Sequence, residues 1–274
     1  MGNLLAQTKQ RTNRLRSSTP VAERSSLTQV STIAEHKPDF LSTVDIFQDL
    51  SFNEVAAISR QLKIRICPLG HIFYIPGEIY EMLFLLKEGR VQLYRLSPNG
   101  RKLVVATLGA GAVFGEESLI GEGMHNTFAQ AMDECTLWVM RRDHAKRLVL
   151  AKPQVALRFL QLMGKRLQET ERLMEEISFK NIPTRLASLL LRLSDEQGCN
   201  SVKGYTHQSL GEMLGTYRET TTQTLSVFKA HGLLEISRMY IELIDRDELA
   251  QIAHGNRKKR QTTMYFYNRR TRTQ

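Results

Sequence analysis

The sequence contains no apolar run approaching the ~18–20 residues needed to cross a bilayer, which excludes a membrane span of the helical kind. It has only three cysteines, Cys67, Cys135 and Cys199, with no C-x-x-C pair and an odd count. Those spacings argue against a disulfide framework, a zinc site or an iron–sulfur cluster, and read as three ordinary thiols in a reducing cytoplasm. After Arg11, Arg14 and Arg16 the chain runs on as Ser-Ser-Thr-Pro rather than into an apolar stretch, so no signal peptide is expected. Nucleophile elbow, P-loop and metal-ligand cluster are all missing, and Glu116-Glu117 would point to opposite faces of an extended chain. No catalytic and no metal-binding residue is expected, and an enzyme is not the reading.

What is present is unevenly distributed. The formal net charge is +10, yet residues 41–254 hold 25 bases and 25 acids. The excess sits at the ends: residues 255–274 carry seven bases and no acid, and the first forty carry six bases and three acids. A neutral body with basic ends differs from a uniformly basic nucleic-acid coat. Hydrophobic residues make up 42% of the chain, enough to build cores.

Residues 1–38, rich in Ser, Thr, Gln and Arg, read as a flexible basic arm, with order expected from Phe40-Leu41. Phe52–Leu62, with Val55, Ile58 and Leu62 on one face, reads as a short entry helix. From Ile64 to about Val139 come short β-like runs punctuated by glycine. Ile72–Ile75 ends at Pro76-Gly77, Met82–Leu86 at Glu88-Gly89, Val91–Leu96 at Pro98-Asn99-Gly100, and Leu103–Leu108 at Gly109-Ala110-Gly111. That texture predicts an all-β sandwich or barrel over 39–142.

Residues 143–180 switch to helical period. Ala156, Leu160, Met163, Leu167, Thr170, Met174 and Ile177 alternate at spacings of four and three, with Arg166, Glu169, Arg172 and Glu175 outside that seam. A second apolar row, Val155, Phe159 and Leu162, is free to face the barrel while the seam faces a second copy. Thr170 is a hydroxyl on an apolar seam, which calls for a backbone bond or a ligand.

A second domain is read over 181–254, with a helix at Thr184–Asp195, a loop at Gly198–Gly204, then helix, glycine turn and helix from Thr206 to Leu225. Thr206 is placed to cap the first helix, Gly215 to end it in the left-handed conformation, and Thr216 with Glu219 to form a capping box for the second. Leu210, Met213, Leu214, Leu225 and Phe228 form the buried side. Leu234–Ser237 and Tyr240–Ile244 read as a small hairpin. A helix–turn–helix followed by a hairpin is a winged DNA-binding module whose second helix enters the major groove. On its outer face Arg218 can bridge guanine O6 and N7, and Glu219 can accept from a cytosine amine. Thr206, His207, Thr216 and Thr220 suit phosphates near helix N-termini. Gln208, Tyr217, Thr222 and Gln223 complete the expected DNA-binding set. Against this, residues 183–254 hold seven bases and nine acids, so the basic tail at 255–274 is expected to anchor flanking phosphates.

The order of β-barrel, long helix and winged helix–turn–helix, with Gly211–Thr220 and Gly109-x-Gly111-x-Val113-Phe114-Gly115-Glu116, resembles the Crp/Fnr family of bacterial transcription regulators. The resemblance implies an α+β chain: an N-terminal double-stranded β-helix (jelly-roll) effector domain, a dimerisation helix, a hinge near Asn181 and a C-terminal winged helix–turn–helix. It implies a cytoplasmic homodimer on a two-fold symmetric DNA site, with RNA polymerase as a partner and no membrane attachment. It places Arg218, Glu219 and Gln223 at base-reading positions; the third is an arginine in the cyclic-AMP receptor branch, where His207 likewise has a phosphate-contacting arginine as counterpart.

The family's cyclic-nucleotide cassette would comprise Gly115, Glu116, Glu117 and Ser118, then His125, Asn126 and Thr127, with Thr170 and Glu171 from the long helix. The cassette's arginine is missing from Gly123–Ala129 here, and Glu117 adds a negative charge. A cyclic phosphate thereby loses a charge-assisted contact of roughly 1.5–3 kcal/mol. The expected effector is therefore a small molecule other than cyclic AMP, or none, with no cofactor assigned. The other reading is a non-catalytic nucleotide-sensing module governing a protein partner.

Overall fold

The computed structural model describes residues 40–79, 81–119 and 126–255, so the basic arm at 1–38, nearly all of the basic tail and His125 lie outside the described residues. The described chain forms two compact units, divided inside the long helix between Leu167 and Gln168, with the short segment Arg101–Leu103 grouped with the second.

In the first unit, Leu41, Val44, Ile46 and Phe47 are buried immediately before helix α1 (Phe52–Ser59). The Ser51 backbone N–H donates to Glu54 at 2.8 Å, which starts that helix. It stops earlier than the apolar period suggested, because Gln61 and Leu62 turn back onto Ile58 and Ser59. Eight strands follow: β1 (Lys63–Cys67), β2 (Ile72–Tyr74), β3 (Met82–Glu88), β4 (Val91–Leu96), β5 (Lys102–Leu108), β6 (Val113–Phe114), β7 (Phe128–Ala131) and β8 (Cys135–Arg141). They form two four-stranded sheets, β1-β8-β3-β6 and β2-β7-β4-β5.

The apolar run of β3 has a direct cause. Phe84 and Leu86 face the barrel interior beside Phe73, Phe114 and Leu137, whereas Leu83 and Leu85 join Trp138, Met140 and the helices outside. A strand buried on both faces reads as a continuous hydrophobic run instead of an alternating one. Phe84 stacks on Phe114 with ring centroids 4.8 Å apart, and Phe73 meets Phe114 edge-on at 5.2 Å.

The helical segment is two helices, α2 (Arg142–Ala151) and α3 (Pro153–Phe179), broken at Lys152, whose backbone is extended as the residue before a proline prefers. Val155, Phe159 and Leu162 pack on the barrel-side core. On the other row Leu160 and Leu167 are 69% and 60% exposed and Met174 65%, so the seam stands uncovered.

The second unit opens with α4 (Ile182–Glu196), capped by Asn181, whose Oδ1 accepts from the Thr184 N–H at 3.0 Å. Pro183 is tolerated because it lies in the first turn. The segment expected as loop contains a strand, β9 (Ser201–Lys203), paired with β11 (Tyr240–Leu243), itself paired with β10 (Leu234–Ser237). The hairpin is thus a three-stranded sheet. Three residues are too few to show a period, and β9 forms because β11 offers it an open edge. Between them lie α5 (His207–Leu214) and α6 (Arg218–Ala230), and α7 (Arg246–Ala253) closes the unit. Leu186, Leu190, Leu210, Leu225, Phe228, Leu234 and Leu249 share its core.

Candidate nucleic-acid interface and effector cassette

The turn between α5 and α6 is built from short-range chemistry. The Ser209 N–H donates to Thr206 Oγ1 at 3.0 Å, and the Thr206 N–H donates to Ser209 Oγ at 2.8 Å. Gly215 sits at φ 61°, ψ 36°, and the Thr216 N–H closes the turn onto the Gly211 carbonyl at 2.8 Å. The expected Thr216–Glu219 capping box is absent. Helix α6 starts one residue later, with Tyr217 as its cap and no side-chain cap bond, so Glu219 is the second helical residue and cannot reach back.

The outer face of α6 presents Arg218, Glu219 and Gln223 as exposed side chains, with Thr220 and Thr222 half-buried and Tyr217 exposed just before it. The threonine run is not all outward. Thr221 is fully buried and its Oγ1 donates to the Tyr217 carbonyl at 3.2 Å, and Thr224 does the same to Thr220 at 2.8 Å. Among the expected contacts on α5, Gln208 Nε2 donates to Glu212 at 2.9 Å, while Thr206 and Gln208 remain exposed. His207 Nδ1 lies 2.9 Å from Thr222 Oγ1, so the two helices are tied at the face they share. Burial, followed by the charge of Arg218, lowers the His207 pKa, which keeps the ring neutral near pH 7. It is a hydrogen-bonding group and not a counter-charge.

Two residues to which the sequence reading gave no packing role hold this geometry. A Cβ on Gly211 would lie 3.0 Å from Thr221 Oγ1 and 3.2 Å from the Thr216 carbonyl, so the close crossing of α5 and α6 needs glycine. Arg185 of α4 is buried, and its guanidinium donates to the Leu214 carbonyl at the C-terminal end of α5. Burial lowers its pKa, with Glu176 opposing. A basic residue at this spot caps a helix and cannot serve phosphate. Only its place on the inner face of an amphipathic helix could have signalled that.

In the barrel, Gly115 adopts φ 80°, and a Cβ there would meet the Met82 carbonyl at 2.6 Å. The 3-10 turn Glu116–Leu119 follows, carrying Glu117 and Ser118. Glu116 is 93% buried, and one oxygen accepts from Arg166 of α3, which also donates to the Val113 carbonyl. Glu116 Oε2 has no hydrogen-bond partner among the described residues. Glu117 accepts from the Asn126 backbone N–H at 3.3 Å. Tyr74, raised above the usual range by burial and by the charge of Glu117, hydrogen-bonds to the buried Thr127 and to the Gly115 backbone.

The structure therefore brings Gly115, Glu116, Glu117, Asn126 and Thr127 together and adds Tyr74 and Arg166. The cluster contains a guanidinium contributed by α3, while Gly123–Ala129 holds no arginine. Its origin one helical turn before Thr170 was the available signal. Glu116, Glu117 and Arg166 leave this cluster with one negative charge in excess. Thr170 and Glu171 are exposed on α3 beyond Leu167, in the other unit.

A β-barrel with such a turn, followed by a long helix and a winged helix–turn–helix, defines an effector-domain regulator of transcription. Residues 65–152 match the cyclic nucleotide-binding domain, and residues 184–252 match the Crp-like helix-turn-helix domain. The chain belongs to the Crp/Fnr family of transcription regulators. It is similar to the CRP-like cAMP-activated global transcriptional regulator of Mycobacterium tuberculosis, 25% identical over 221 residues that cover 78% of this chain and 99% of that one. The cyclic AMP receptor protein of Thermus thermophilus is 29% identical over 210 residues, covering 77% and 97% respectively. The crystal structure of a Crp/Fnr-family regulator from Eubacterium rectale aligns over 76% of this chain and 97% of its own, with TM-score 0.65 and 27% identity. Among the described residues, no helix is long and apolar enough to cross a membrane.

Proposed function

We propose that this regulator binds a two-fold symmetric DNA site as a homodimer, reading bases with Arg218, Glu219 and Gln223 of α6. The single observation that carries the reading is the face of α6. Three long polar side chains stand exposed on a helix whose opposite side, Leu225 and Phe228, is buried. Thr206, His207, Gln208, Thr216, Tyr217, Thr220 and Thr222 contact phosphates around them, and the wing follows with exposed Arg238. The uncovered α3 seam supplies the dimer contact, and residues near Asn181 the hinge between the effector unit at 39–142 and the DNA-binding unit at 181–254. The chain acts by binding, not catalysis, in the bacterial cytoplasm, where RNA polymerase reads the promoter it occupies.

For the barrel, the reading is an effector cassette remodelled away from cyclic AMP. Glu117 holds the Asn126 N–H, and Arg166 is committed to Glu116, which disfavours an incoming phosphate monoanion. Genomic selection with the purified full chain, with and without small metabolites, tests the DNA reading. Enrichment of a symmetric motif is expected, and Arg218→Ala should cost about 1–3 kcal/mol at one base position of each half-site. No symmetric motif in any condition would sink it. A melting-temperature shift on adding cyclic AMP would overturn the effector reading.

A further inference from the structure

The barrel brings together two cysteines that stand far apart in the chain. Cys67 ends β1 and Cys135 begins β8, and the antiparallel register of these strands sets them directly opposite each other. Directly opposed residues point to the same face, and both thiols lie in the same interior cluster with Leu86, Val91 and Leu137. They are near enough for the charge of Cys67 to raise the Cys135 thiol. Opposed Cβ atoms on antiparallel strands sit about 4.5–5.5 Å apart, whereas a disulfide wants about 3.5–4.5 Å, so closure requires about 1 Å. Both residues are strand termini, and Pro68 has no N–H with which to extend the ladder. The pair is therefore placed where the backbone can yield. Gly89 leaves room above it: a Cβ there would lie 2.8 Å from Cys135 Sγ.

We propose that Cys67 and Cys135 form a reversible cross-strand disulfide, making the barrel a site of thiol oxidation by hydroperoxides. Cys67 is the attacking thiol, since it lies on the edge strand and is 5% exposed while Cys135 is fully covered. Its sulfur attacks the peroxide O–O bond, forming S–OH and releasing the other oxygen, which becomes water or an alcohol on taking the thiol proton. Cys135 sulfur then attacks that sulfenic sulfur. The S–S bond forms, and hydroxide leaves and takes the Cys135 proton as water. Two thiols are oxidised and one hydroperoxide is reduced. Burial raises both thiols, Cys135 to about 11 with Asp133 adding to it, while Arg65 opposes the rise at Cys67. The Cys135 thiol meanwhile donates to the Arg90 carbonyl at 3.3 Å. The pair accordingly reacts slowly, as a record of sustained oxidation and not as a fast sensor.

The full-length protein is treated with hydrogen peroxide, denatured, alkylated and digested, and its peptides are identified by mass spectrometry. The expected result is a linked peptide pair carrying Cys67 and Cys135, with Cys199 alkylated. The same link forms in Cys199→Ser and is lost in Cys67→Ser. The oxidised protein melts several degrees higher, because the bond closes the chain from β2 through β7, and dithiothreitol reverses the gain. Alkylation of both Cys67 and Cys135 in denaturant after oxidation would overturn the proposal. So would links made solely through Cys199.

Discussion

At the scale of single residues, small contacts set the geometry on which recognition depends. Gly211 lets α5 and α6 cross closely, with Thr221 Oγ1 and the Thr216 carbonyl where a methyl group would go. Gly211→Ala should therefore destabilise the second unit by about 1–3 kcal/mol, read as a lowered melting temperature. Glu54 is a second case. Hydrogen bonds from Lys152, then from Ser51, hold its carboxyl down at about 2. A carboxylate with a depressed folded pKa gives stability that is present above its unfolded value and fades as the pH falls toward 2. Denaturation of the wild type and of Glu54→Gln should thus differ at about pH 6, with the difference shrinking below about pH 4.5 and vanishing only near about pH 2. A constant difference would show that the pair does not act through charge. At this scale the sequence was partly legible. The Thr206 cap and the left-handed Gly215 followed from residue type alone, whereas the Thr216–Glu219 box failed because the backbone turn claimed the Thr216 N–H.

At the scale of elements, α3 is the decisive one. Its two apolar rows were readable from spacing, since helical period is a local property. Val155 and Phe159 are buried on the barrel, while Leu160 and Leu167 stand exposed. Leu167→Lys should turn the dimer into a monomer in sedimentation velocity while leaving the far-ultraviolet circular dichroism unchanged. A variant that stays dimeric would place the interface elsewhere. Arg185 joins α4 to α5 at the Leu214 carbonyl. Arg185→Ala leaves that acceptor without its guanidinium and should cost about 1–3 kcal/mol in chemical denaturation. Neither this contact nor strand β9 was legible, because each depends on an element distant in the chain.

At the scale of the whole molecule, the distribution of charge decides how DNA is held. Of the seven bases in residues 183–254, Arg185 is buried, Lys229 lies 2.6 Å from Glu235, and Arg246 lies 2.6 Å from Asp195. Arg192, Lys203, Arg218 and Arg238 are the exposed bases of this unit outside those two ion pairs. Four cations against the seven acids outside those pairs are few, so the tail is the expected source of phosphate attraction. Removal of residues 256–274 should make the plot of log affinity against log salt shallower, and an unchanged slope would show that the tail touches no phosphate.

The sequence by itself determined the order of barrel, helix and helix–turn–helix, the Thr206 and Gly215 caps of α5, and the polar face of α6. These rest on periodicity and on residues acting within four positions of themselves. Only the tertiary structure decided that Arg166 meets Glu116, that His207 meets Thr222, and that Cys67 faces Cys135. Such pairings depend on strand register and helix packing, where a shift of one residue turns a strand side chain to the opposite face and a helical one by about 100°.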